Sequence, residues 1–285
     1  MKDIISASRR TDIPTFYYDW FQEKLKEEKV TVKNPIYPEK ETVIDLSPDN
    51  VHSIVLWSKN FANVLRDPGL LENYNLYFQY TITGYSKLLE PNVPPYHESM
   101  KVLDALLKRY KPEQFNIRFD PIILSTNGEL YPTPDKPGQA RLKMFEQLCT
   151  DLHALGMDNC RVTTSYITMY QKARNNMSAA GVNFIELNED QQIEFMRRMS
   201  IIAQKFNRDI YMCSNDRFVE AGIPNIKKGH CIDGDILSEL FDDKTTKAKD
   251  QGQREECGCV KSKDIGSYLK CYHNCRYCYA VDYKN

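Results

Sequence analysis

The chain has 285 residues and a formal net charge of -1, with 38 Lys and Arg against 39 Asp and Glu. Hydrophobic residues make up 41% and charged residues 27%, a balance that excludes a disordered, collagen-like or coiled-coil chain. The charge gives no support to a sequence-blind nucleic-acid binder, which needs a basic excess. No run approaches the ~20 apolar residues of a spanning helix, so no membrane partner is expected.

The start, MKDIISASRRTD, reaches Arg9 and Arg10 after a short apolar run and has the pattern of neither a secretory signal nor a transit peptide, so a cytoplasmic protein is expected. Runs rich in β-branched and aromatic residues predict strands at Ile4–Ser8, Ser53–Ser58, Leu76–Thr83, Phe115–Leu124, Cys160–Ile167 and Asp209–Cys213. Helical spacing lies between them. Trp20, Phe21 and Leu25 follow the first strand. Val102, Leu103, Leu106, Leu107 and Tyr110 share one face, as do Leu142, Phe145, Leu148, Cys149, Leu152 and Leu155, and Phe195, Met196, Met199, Ile202, Ala203 and Phe206. Strands alternating with helices predict an α/β fold with parallel strands and right-handed crossovers. The expectation is a partial (β/α) barrel of the TIM-barrel kind over residues 1–241, with a doubly wound open sheet as the alternative. No G-x-G-x-x-G or P-loop favours a nucleotide fold.

Polar residues collect where these strands end: Arg9, Arg10 and Asp12; Lys59 and Asn60; Thr81 and Thr83; Arg118 and Asp120; Thr164 and Ser165; Cys213, Ser214 and Asn215. In a parallel barrel the carboxyl ends carry the active site. Arg9, Arg10 and Asp12 are candidates for binding a cofactor or an anionic substrate, and Arg118 with Asp120 is a candidate buried pair. Residues 242–263, charged and poor in apolar content, read as a flexible connection to a segment, residues 264–285, that carries cysteines.

Cysteine is the anomaly. There are nine, an odd count with no export signal, and seven follow residue 212. Cys149 and Cys160 fall on a helix face and a strand start and read as core thiols. Cys271-x3-Cys275-x2-Cys278 places three thiolates on one tight loop, enough to hold three irons of a [4Fe–4S] cube and leave the fourth iron open. Two other readings stay open. Cys275 and Cys278 with Cys257 and Cys259, or with His273, would suit zinc at a closed site, and a ferredoxin-like cluster would take four cysteines. Cys213, Cys231, Cys257 and Cys259 would suffice for a second, fully ligated [4Fe–4S] cluster.

C-x3-C-x-aromatic-C, here with Tyr277 before Cys278, resembles the signature of the radical SAM superfamily. The string IGSYLKCYHNCRYCYA is similar to the cluster loop of the radical SAM proteins related to spore photoproduct lyase and the DNA repair photolyase-like group. TDIP at Thr11–Pro14, WSKN at Trp57–Asn60, LRDPGLL at Leu65–Leu71, TIT at Thr81–Thr83, LLEPNVPP at Leu88–Pro95 and FDPIIL at Phe119–Leu124 recur there in the same order. In that superfamily the cysteine loop follows the first barrel strand, whereas here it lies at the end of the chain, so the sequence resembles a circular permutation in which residues 264–270 form a strand beside Ile4–Ser8. The resemblance implies an oxygen-sensitive enzyme that reductively cleaves S-adenosylmethionine (SAM) to a 5′-deoxyadenosyl radical for hydrogen abstraction. Its cofactors would be a [4Fe–4S] cluster and SAM, and its partner a reducing protein such as flavodoxin or ferredoxin. Tyr277 would lie near the adenine, and Arg9, Arg10, Asp12, Thr83, Arg118 and Asp120 would line the cofactor site. Two other functions remain as expectations: a non-catalytic or electron-transfer iron–sulfur protein, and a zinc-stabilised module that contacts nucleic acid.

Overall fold

The β-branched and aromatic runs become the strands of one eight-stranded, all-parallel sheet in the computed structural model, which describes residues 2–34, 37, 39–130, 138–268 and 270–279. In chain order the strands are β1 (Asp3–Ala7), β2 (Val51–Ser58), β3 (Leu76–Thr81), β4 (Phe115–Arg118), β5 (Arg161–Thr164), β6 (Ile210–Met212), β7 (Ile226–Lys228) and β8 (Lys263–Asp264). Their order across the sheet is β7-β6-β5-β4-β3-β2-β1-β8. Strands β1 to β7 therefore follow one another across the sheet, with none of the reversal that defines a doubly wound sheet, and only β8 is out of sequence, beside β1. Among the described residues β7 and β8 do not pair, so the sheet is open and does not close into a barrel.

The last strand docks where a permuted chain would place it, but it is shorter than expected. Only Lys263 and Asp264 pair, parallel to Ile5 and Ser6; residues 265–268 are irregular, and Leu269 lies outside the described residues. The register is fixed by Asp264, whose carboxylate accepts from Ser6 Oγ at 2.8 Å, Ser8 Oγ at 2.7 Å and Arg9 N at 2.9 Å. Gly266 is required here because a Cβ would lie 1.9 Å from Ser8 Oγ. The strand expected over Phe115–Leu124 ends at Arg118, and Leu124–Ser125 pairs antiparallel with Phe184–Ile185 instead.

The two faces of the sheet differ, because successive strand residues point to opposite sides. Ile5, Ile54, Leu56, Phe78, Phe115, Ile117, Val162 and Ile210 belong to the large core. Helices Tyr18–Lys26, Tyr96–Leu106, Gln139–Ala154 and Glu189–Gln204 pack there through Phe21, Leu103, Phe145, Leu148, Met196 and Met199. Each such fully buried side chain contributes about 1.5–3 kcal/mol. Cys149 and Cys160 are buried in this core, as their positions in the sequence predict.

Alternate residues form a polar ladder on the other face. Asn116 Nδ2 donates to Gln79 Oε1 at 2.9 Å, Thr163 Oγ1 to Asn116 Oδ1 at 2.7 Å, and Trp57 Nε1 to Ser6 Oγ at 3.0 Å. Residues from the 231–260 segment cover it, with Ile232, Leu237 and Val260 packing on Ile4, Val55 and Tyr77. The charged 242–263 stretch is part of this cover. It bridges Lys249 to Val260, pairs Asp250 with Arg9 and buries Cys257 and Cys259. Among the described residues no helix is long and apolar enough to cross a membrane.

Candidate functional site

Six strands end around one cavity of about 390 Å³. Ser8 and Arg9 follow β1, Trp57 to Lys59 close β2, Thr81 ends β3, Arg118 ends β4, Ser165 follows β5 and Cys213 follows β6. Strand-end loops gather here because parallel strands all finish at the same edge. Seven of the nine cysteines line the cavity: Cys271, Cys275 and Cys278 of the terminal loop, and Cys213, Cys231, Cys257 and Cys259. Arg9, Arg10, Asp12, Arg118, Asp120 and Tyr277 line it too, so all but one of the sequence-derived site residues meet in one place. The exception is Thr83, which is buried beside the cavity and gives its hydroxyl to Glu90 at 2.7 Å.

The cysteine loop is docked by two local anchors. Asn92 Nδ2 donates to Tyr272 O at 2.7 Å, and Arg276 N donates to Leu89 O at 2.9 Å, so the Leu88–Pro95 segment is the ledge on which the loop rests. The second anchor is His273, buried with Nε2 2.8 Å from Asp12 Oδ2; a carboxylate only accepts, so Nε2 carries the proton. Asp12 also accepts from Ser58 Oγ at 2.8 Å, Lys59 N at 2.9 Å and Thr15 N at 3.0 Å, the last capping helix Ile13–Phe16. Burial alone would raise the Asp12 pKa, but the His273 contact and the Lys59 and Ser58 donors outweigh it and hold the carboxyl below its ordinary value. Asp12 is thus committed to the architecture that ties β1 to the loop.

Beneath the loop lies a buried ion pair. Lys59 Nζ is 2.9 Å from Glu90 Oε1, and the Tyr277 hydroxyl also donates to Glu90. Burial opposes both charges, yet each partner's charge prevails, lowering Glu90 and raising Lys59. Glu90 has a signal in the LLEP string but no spacing that marks it as a site residue, so residue patterns alone miss it. Burial pushes the Cys271 thiol up to about 11 and raises Cys275 well above its ordinary value for the same reason. These thiols become thiolates only with a positive partner such as a metal.

The other four cysteines stand together. Cys231 Sγ donates to Cys213 Sγ at 3.4 Å; Cys231 also touches Cys259, which touches Cys257. Ile232 N donates to Cys259 Sγ at 3.4 Å. Hydrogen bonds from Cys231 and Cys257 hold Cys259 low, and Arg9 adds to this; Cys213 is lowered by Cys231 in the same way. Two cations flank these cysteines. Arg9 and Arg118 stack on Trp57, their guanidinium carbons 5.3 and 5.0 Å from its ring centre, and Arg118 pairs with Asp120 as the sequence suggested. Arg10 turns away, donating to Gly266 O at 2.9 Å. Among the described residues no three His, Cys, Asp or Glu side chains converge on a point that would hold a single metal ion.

Residues 4–280 match the model of a family described as a domain of unknown function, DUF1848, and the chain belongs to that family. No curated protein matches it significantly.

Proposed function

We propose that this cavity is the active site of a radical SAM enzyme built on a permuted, open relative of the partial barrel. The observation that carries the reading is the placement of Cys271, Cys275 and Cys278 together on the cavity wall at the carboxyl edge of the parallel strands. Three thiols on one short loop suit a [4Fe–4S] cube with one iron left open. With SAM bound there, the group supplies one-electron cleavage of a carbon–sulfur bond.

The chain's own residues position and shield. The Leu88–Pro95 ledge and the His273–Asp12 contact hold the loop against the sheet edge. The Glu90–Lys59 pair and the Tyr277 hydroxyl fix the ring of Tyr277 beside Cys278, where it can pack on an adenine face. Arg9 and Arg118 make the cavity cationic, which suits the carboxylate of SAM or an anionic substrate. A small reducing protein of the flavodoxin or ferredoxin kind is the expected electron donor.

The test is anaerobic reconstitution of the full chain with iron and sulfide, then reduction in the presence of SAM. The expected result is iron, acid-labile sulfide and 5′-deoxyadenosine. A reconstituted, reduced protein that yields no 5′-deoxyadenosine rejects the enzyme and leaves an electron-transfer or structural iron–sulfur protein. Zinc in place of iron and sulfide rejects both.

A further inference from the structure

We propose that Cys213, Cys231, Cys257 and Cys259 hold a second iron–sulfur cluster, ligated at all four irons and lining the same cavity as the terminal loop. Four thiols are the full complement for a cube whose every iron is protein-bound. They arrive from the end of β6, the loop after β7 and the returning segment that covers the polar face of the sheet. In the fold they stand in contact, Cys213 to Cys231 to Cys259 to Cys257.

A second observation points to an anionic group at this place. Arg9 Nη2 and Arg118 Nε are buried and have no hydrogen-bond partner among the described residues. The acidic groups beside them are already engaged: Asp250 lies 3.5 Å from Arg9, Asp264 takes the Arg9 backbone N–H at 2.9 Å, and Asp120 is paired with Arg118 and also accepts from Ser165. Arg9 lies near Cys259 and Cys231, and Arg118 near Cys231 and Cys213. Burying cations with unused donors is costly unless an anion sits beside them. A thiolate-ligated cluster is such an anion, and hydrogen bonds to its sulfurs tune its potential.

The arrangement favours a cube over zinc. A structural zinc ion draws four ligands to one point in a closed site. Here, among the described residues, no three of these side chains converge on one point. A cube takes one thiolate at each of four separate corners and needs no such convergence, although the 3.4 Å contact between Cys231 and Cys213 has to open for it.

The proposal does not rest on SAM cleavage, and its test separates the two. The full chain is reconstituted anaerobically with iron and sulfide, then counted and examined by EPR and Mössbauer spectroscopy. The wild-type chain should hold about eight irons and as many sulfides, with SAM altering the Mössbauer signal of the one open iron, about one in eight. The triple variant Cys271→Ala/Cys275→Ala/Cys278→Ala should retain about four, with an EPR signal that SAM leaves unchanged. Cys257→Ala/Cys259→Ala should also retain about four, with a signal that SAM does shift; should circular dichroism show this variant unfolded, the wild-type and triple-variant results decide. In the triple variant, adding Arg118→Gln should make the retained cluster's potential more negative, since a positive charge is lost. A wild-type count near four, a triple variant with no iron, zinc in its four thiols, or a potential unmoved by Arg118→Gln overturns the proposal. If the triple variant keeps its irons while the wild type cleaves no SAM, the function proposed above falls and the second site stands.

Discussion

Cys271, Cys275 and Cys278 reach the cavity on one loop of consecutive residues, whereas Cys213, Cys231, Cys257 and Cys259 are brought together only by the fold. The first set depends on a short loop and its ledge. The second depends on β6, the loop after β7 and the cover over the polar face all being in place at once. Both sets line the same cavity, yet only the first has three thiols on a spacing that can be read as a unit. Proximity along the chain, rather than chemistry, makes a site legible.

The largest effect should come from the loop itself. Alanine at Cys271, Cys275 or Cys278 is expected to reduce 5′-deoxyadenosine formation to the level of a protein-free control, a loss beyond the roughly 10–100-fold that removal of an outer-shell partner of a metal site costs. The measurement is product yield against iron content. If Cys257→Ala lowers the yield as far while the loop keeps its irons, the two sets are not separable and the contrast collapses.

Next comes the buried pair that supports the loop. Glu90→Gln leaves the Lys59 ammonium buried among Tyr277 and Cys275 without its counter-charge. Breaking a buried pair this way typically costs about 3–5 kcal/mol, read as a lower urea midpoint at unchanged slope. Replacing both partners, Lys59→Met with Glu90→Gln, should recover much of the loss, because an apolar substitute strands no charge. A single variant as stable as wild type would mean that Lys59 finds solvent and the ledge is looser than its contacts indicate.

Much of the fold was legible. The first six strands and four of the helices sit within a few residues of the positions that period and composition predict, because their apolar residues make the large core. The sequence left a partial barrel and an open sheet side by side, since whether edge strands meet is decided by tilt and by what fills the interior rather than by any one run. Ile226–Lys228 was missed because two of its three residues are exposed lysines. The 242–263 stretch looked like a connection because it is charged, but its buried thiols and the Arg9–Asp250 pair fix it over the sheet. Asp12 read as a ligand candidate from its place after a strand, yet its carboxylate is spent on His273, Ser58, Lys59 and the cap at Thr15.

That commitment of Asp12 has a pH signature. Its carboxyl, like that of Glu90, is held below the ordinary values of 3.8 and 4.5. A lowered native pKa contributes stability that is complete above the unfolded value and is lost as pH falls through the native one. Unfolding free energy should therefore drop with acid below about pH 4.5, with a flatter decline in Asp12→Asn and a weaker grip on the loop, seen as faster iron loss to a chelator. An acid limb identical in Asp12→Asn and wild type would show that the carboxyl titrates normally and that the tether between β1 and the loop is not electrostatic.

The smallest change tests the contrast most finely. Tyr277→Phe keeps the ring between Cys275 and Cys278 and removes only the hydroxyl that donates to Glu90. Glu90 retains Lys59 at 2.9 Å and Thr83 at 2.7 Å, so its charge stays paired. The loss should lie near the lower end of the range for a hydrogen bond to a charged group, about 1.5 kcal/mol. The Tyr277 contact is one of the influences that lower Glu90, so its removal should let the Glu90 pKa rise and move the acid limb of stability to higher pH. Iron content should not change, since no thiolate is touched. A Tyr277→Phe protein that loses its iron as fully as Cys275→Ala would show that the loop's geometry hangs on this one hydroxyl. Its site would then be as dependent on distant contacts as the four scattered cysteines.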